Sequence, residues 1–102
     1  MNPLDDALTR VVATRKVESL AENASHLSPG FIGELENFFA EEVENPSRWL
    51  ALAMALGNAG MLVASRRAFT ETLNFVSMPR EQAKVQVEWA KVEEAAGQTL
   101  FA

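Results

Sequence analysis

Asn45 to Val76 reads NPSRWLALAMALGNAGMLVASRRAFTETLNFV, two helices folded back on each other through a Gly-Asn-Ala-Gly turn. An Asn side chain accepts from the free amides of a helix start, and proline at the next position wastes no donor, so Asn45-Pro46 opens the first helix. Trp49, Leu52, Ala53, Leu56 and Ala59 recur at helical spacing and mark one apolar face. Glycine tolerates the left-handed backbone that closes a helix, so the chain is expected to turn within Gly57–Gly60 and restart at about Met61. Ala68, Phe69, Thr72, Leu73 and Val76 supply the apolar face of the second helix.

These residues carry a resemblance. Trp49, Leu52, Ala53 and Leu56, followed by Gly60, Phe69 and Leu73, resemble one tetratricopeptide repeat, with Ser65 near the position of the small residue that starts its second helix. The match departs from the pattern at Thr72, where Ala is usual, and at Pro79, which falls about two residues late. Pro46 and Pro79 stand 33 residues apart, close to the period of about 34 of such arrays. VEWAKVEEAAG, with Trp89, Glu93 and Gly97, is also similar to the first helix of a half-a-tetratricopeptide repeat. The two registers disagree by several residues, and the sequence does not decide between them.

Working outward, Asn2-Pro3 and Ser28-Pro29 are further cap-plus-proline starts, and Ser77-Met78-Pro79 is a fourth. The expected helices span about 3–24, 29–44, 46–57, 61–76 and 79–96. Asp5 and Asp6 sit in the first turn, where the helix dipole favours carboxylates. The first helix carries two apolar stripes, Leu4, Ala7, Leu8, Val11 and Val12 on one side and Ala13, Val17, Leu20, Ala21 and Ala24 roughly opposite. Either it kinks near Thr14-Arg15-Lys16, or its halves face different neighbours and the N-terminal half packs on another chain. Phe31, Ile32, Leu35, Phe38, Phe39 and Val43 form a wide core stripe on the second helix. Only five residues follow Gly97, so the last helix is read as a cap without a partner of its own. The fold class is all-α: about five antiparallel helices stacked as tetratricopeptide-like hairpins, in one domain spanning 1–102.

At 102 residues with 48% apolar content the chain can bury a core. It has no cysteine, which excludes disulfides, thiolate metal sites and cysteine nucleophiles. The N-terminal MNPLDDALTR lacks the basic-then-apolar pattern of a secretory signal, and no run is long and apolar enough to span a membrane. A cytoplasmic protein without membrane attachment is expected. The net charge of −5 argues against nucleic acid as the main partner. Its distribution is uneven, with nine acids against three bases in residues 1–45 and six bases against five acids in residues 46–102. One histidine, His26, in a polar turn and no glycine-rich phosphate loop leave catalysis little to work with. No enzyme activity, metal or cofactor is expected.

The resemblance implies a partner groove lined by the first helix of each repeat. On the central helix that face is Ser47, Leu50, Met54 and Asn58; on the last helix it is Arg80, Lys84, Val87 and Lys91. Leu50 and Met54 would supply affinity, and the bases would orient an acidic or C-terminal peptide segment. The expected function is therefore a non-catalytic adaptor, chaperone or assembly factor binding another protein or peptide. An alternative is a small acidic inhibitor of the immunity-protein type, which would use the Glu34–Glu44 face, Glu41, Glu42 and Glu44 above all, against a basic site. A third reading is a homodimer through the first helix. RNA processing, implied by the half-repeat likeness, has few basic residues to support it.

Overall fold

The structure, a computed structural model, describes residues 2–97. Among them the chain forms five α-helices, one 3-10 segment and no strand, so the all-α class holds. The helices are α1 (Pro3–Thr14), α2 (Pro29–Ala40), α3 (Pro46–Asn58), α4 (Leu62–Asn74) and α5 (Pro79–Ala95), with the 3-10 segment Val17–His26 between α1 and α2.

The cap-plus-proline reading accounts for three starts in detail. Asn2 accepts from the amides of Leu4 and Asp5, Ser28 from Phe31 and Asn45 from Ser47. The fourth differs: Met78, one residue from Ser77, is the cap of α5 and makes no side-chain bond.

The first helix is shorter than the expected 3–24. Arg15 closes α1 in the left-handed region (φ 62), its N–H donating to Val11 O at 2.7 Å, and Ala21 (φ 50) interrupts the 3-10 segment that follows. The two opposed stripes explain the break, because one straight helix cannot bury both against one neighbour. With the chain turned at Arg15, Ala7, Leu8, Val11 and Val12 are buried, with α1 docked on α4, and the 3-10 segment folds back on α1 so that Leu20 joins the same core, while Ala13 and Ala21 of the other stripe stay exposed. The N-terminal half thus packs within its own chain, on α4.

The second helix also ends early, at Ala40 instead of about 44. Glu42 turns with φ 51 so that Val43 can enter the core and Asn45 can cap α3. Glu41, Glu42 and Glu44 therefore lie in a turn and share no helical face with Glu34 and Glu36.

The α3–α4 turn follows its glycines. Gly60 (φ 84) donates to Gly57 O at 3.0 Å and Met61 to Leu56 O at 2.9 Å, the paired bonds that close a helix through a left-handed residue. Gly57 has a different use from the turn role read in the sequence. It is buried inside α3, and a Cβ there would run into Val92 Cγ1 of α5 and Ser65 Oγ of α4. Three helices meet at the missing side chain.

The core is centred on Trp49, Ala53, Leu56, Ala64, Ala68 and Phe69, all at 1% exposure or less. Trp49 stacks on Phe75 and meets Phe38 and Phe39 edge-on, and Phe69 stacks on Trp89 with centroids 5.2 Å apart. Polar groups inside it are bonded: Trp49 Nε1 donates to Val43 O (2.7 Å), Ser65 Oγ to Ala53 O (2.6 Å) and Thr72 Oγ1 to Ala68 O (2.8 Å). Unpaired polar groups there would each cost about 1–3 kcal/mol. Among the described residues no helix is long and apolar enough to cross a membrane.

Candidate functional site

Helices α3 and α5 lie side by side and run in the same direction. Their N-terminal halves share one cavity and their C-terminal halves another. The first is a groove of about 300 Å³ whose walls include Ser47 and Leu50 from α3 and Glu81, Lys84 and Val85 from α5, with Val76 at its base. The second, about 380 Å³, takes in Asn58 beside Gly57, Leu62 and Val92.

The residues expected to bind a partner are therefore only partly brought together. Leu50 and Lys84 face each other across the first groove. Met54 is half-buried against the core, as Leu50 is, and lines neither cavity. Asn58 is exposed at the far end. Arg80 and Val87 are exposed outside the groove, and Lys91 is engaged with Glu88 at 3.2 Å. Arg80 and Lys84 make no ion pair within the described residues. The expected basic stripe is interleaved with Glu81 and Glu88, so its positive charge is concentrated near Arg80 and Lys84.

On the other side of α3 the acidic residues are equally dispersed. Glu41 Oε2 accepts from Arg48 Nη1 at 2.6 Å, while Glu42 and Glu44 are exposed in the turn. Between α2 and α3 opens a larger cleft, about 510 Å³, floored by apolar side chains of both helices. Its walls were visible in the sequence as the Phe31, Leu35, Phe38 series and read as core. Leu35 and Phe38 are buried, but Phe31 stays half-exposed over the cleft.

Two charge networks tie the elements together. Arg15 sits over Trp49 and Phe75, 5.5 and 5.8 Å from the ring centroids, and reaches Glu71 at 3.5 Å, which Arg67 also meets at 3.1 Å. Arg66 Nε donates to Glu93 Oε1 at 2.5 Å and Nη2 to Oε2 at 3.0 Å; Trp89 Nε1 adds a third bond at 3.2 Å. The bonds from Arg66 hold the Glu93 carboxyl below the usual carboxylate range, against the desolvation that pushes it up, and Trp89 adds to the lowering. Glu93 raises the Arg66 guanidinium in turn. Neither network was legible beforehand, apart from the four-residue spacing of Trp89 and Glu93.

Among the described residues no three His, Asp or Glu side chains gather in a way that could hold a metal ion. The geometry is that of an all-α domain with grooves between its helices. Compared with known proteins, the chain matches no family model, no curated protein and no solved structure.

Proposed function

We propose that this protein is a non-catalytic interaction module, an adaptor that captures a short segment of a partner protein in the groove between α3 and α5. Support comes from one observation: Leu50 and Lys84, 34 positions apart in the chain, line the same groove on two helices that run in the same direction. The groove offers an apolar wall from Leu50, Val76 and Val85, with the Lys84 ammonium group and the Glu81 carboxylate at its edge and Arg80 close by in sequence. That combination suits a segment with one apolar side chain close to a carboxylate, whether an Asp, a Glu or a chain terminus. The apolar contact supplies most of the affinity, and Lys84 with nearby Arg80 sets direction and on-rate.

A displayed library of short random peptides tests this reading. Sequences enriched on the wild-type protein are expected to carry an apolar residue beside a carboxylate. Leu50→Asp and Lys84→Glu variants, each checked for helicity by circular dichroism, are expected to lose them. Enrichment that persists in both folded variants, or that shows no acidic preference, removes the groove from consideration.

A further inference from the structure

The cleft on the opposite side of α3 differs from that groove in width, lining and charge, and it carries a separate conclusion. No Cα of α2 comes within 8 Å of a Cα of α3, although the two helices are consecutive. Packed helices have axes only about 8–10 Å apart, so α2 stands off from α3 by more than a packing distance. The two are bridged by Phe38 against Trp49, centroids 5.0 Å apart. The space between them is the 510 Å³ cleft. Phe31 and Leu35, four residues apart, make one wall, and Ala51, Leu52 and Ala55 make the other. Ala51 and Ala55 are also four apart and exposed, so α3 presents an open floor on which another backbone can lie close.

The one unpaired charge lining this cleft is negative. Glu34 stands exposed at its rim, and Arg48, its one basic lining residue, is neutralised by Glu41 at 2.6 Å. From Val17 to Glu44 the sequence holds seven glutamates and no lysine or arginine. An apolar trough open between two helices that stand apart, with the Glu34 carboxylate at its edge, selects a helix bearing apolar residues at spacings of three and four and a basic residue beside them. A second copy of this chain, at net charge −5, does not meet that description.

We infer that the α2–α3 cleft is a second docking site, which takes a basic amphipathic helix of a partner protein. The module then holds two segments at once, one on each side of α3. This conclusion goes beyond the α3–α5 groove and stands or falls independently of it.

The experiment titrates the intact protein with two labelled synthetic peptides of one helical pattern. Both carry leucines on one face; the other face is lysine in one and glutamate in the other. Binding is read by fluorescence anisotropy. The lysine peptide is expected to bind and the glutamate peptide not. An Ala51→Gln, Ala55→Gln variant fills the floor without adding charge at positions already exposed to solvent. It should keep its melting temperature and weaken the lysine peptide roughly tenfold. Glu34→Gln should weaken it about threefold, with a smaller salt dependence, while Glu22→Gln, which removes the same charge elsewhere, leaves it unchanged. Leu50→Asp should also leave it unchanged, which separates this site from the other groove. The inference is overturned if the lysine peptide fails to bind, if the glutamate peptide binds equally well, or if filling the floor has no effect.

Discussion

Asp5 of α1 caps α4: its Oδ1 accepts from the amide of Ala64 at 2.8 Å and its Oδ2 from the amide of Val63 at 2.9 Å, with the carboxylate buried between the two helices. Helix α4 starts at Leu62 behind Met61, whose side chain makes no capping bond. Its first amides would be left unpaired inside the protein without the distant aspartate. Charge and hydrogen bonding act together here, because the same amides form the positive end of the α4 dipole.

Asp5→Ala is expected to destabilise the fold by about 1–2 kcal/mol, the upper part of the range for lost caps, because two amides are freed and that of Ala64 is buried. For a chain of this size that lowers the melting temperature by roughly 4–8 °C per kcal/mol. Asp6→Ala, one residue along and without such a partner, should stay within about 0.5 kcal/mol of wild type. Thermal melts followed by circular dichroism decide the matter. Equal effects at the two positions would reduce Asp5 to an ordinary first-turn acid.

Acid sensitivity should centre on Glu93. Its carboxyl is held below the ordinary range chiefly by Arg66, so its folded-state pKa lies below its unfolded value of about 4.3. A depressed carboxyl contributes stability that is present above the unfolded pKa and disappears as pH falls through the folded one. Stability should therefore be level with respect to this group above about pH 5 and decline below about pH 4. Glu93→Gln should flatten that acid limb. It should also cost about 1–2 kcal/mol at neutral pH, less than a fully buried pair because Arg66 is 42% exposed. Urea titrations at a series of pH values give both numbers, and an unaltered acid limb in the variant would assign the sensitivity to other carboxylates.

Gly57→Ala sets a local gain against a tertiary loss. Alanine favours a helix by about 1 kcal/mol over glycine. The added methyl, however, meets Val92 and Ser65 where α3, α4 and α5 converge, and overpacking costs about 1–3 kcal/mol. The net expectation is destabilisation. Combined with Val92→Ala, which removes the obstructing methyl groups, the change should be markedly less damaging than the two separate effects added together. Additive effects in the double-mutant cycle would show that the backbones had moved apart instead.

Much of this fold was written in local patterns. Three of the Asn-Pro and Ser-Pro starts, the Gly60 turn and the Gly97 end each depend on residues within a few positions of one another. What failed was non-local. The helix through Thr14 had good local propensity, and its break at Arg15 serves a tertiary contact, since it lets the following segment fold back on α1 and bring Leu20 into the core. The acidic face of α2 ended early because Val43 is needed in the core, where its carbonyl accepts from Trp49 Nε1. Of the candidate site, the helix starts at Pro46 and Pro79 placed Leu50 and Lys84 within the first turns of two corresponding helices, although 34 residues separate them and 33 the prolines. The α2–α3 cleft could not be read this way, since a helix that stands away from its neighbour carries the same apolar spacing as one that packs on it.

The attachment of α2 has a mechanical consequence. Its link to α3 is made by side chains, with Phe38 and Phe39 against Trp49, Arg48 over Phe38 and Arg48 paired with Glu41. Ring edges slide over one another at little cost, whereas a hydrogen-bonded ladder advances only in whole steps. The bulk of the side chains at positions 38 and 39 thus helps to set how far the arm stands from the hairpin. Among descendants of this sequence, the gap between the two helices can widen or narrow by changes at those positions alone, while the hairpin beneath keeps its form.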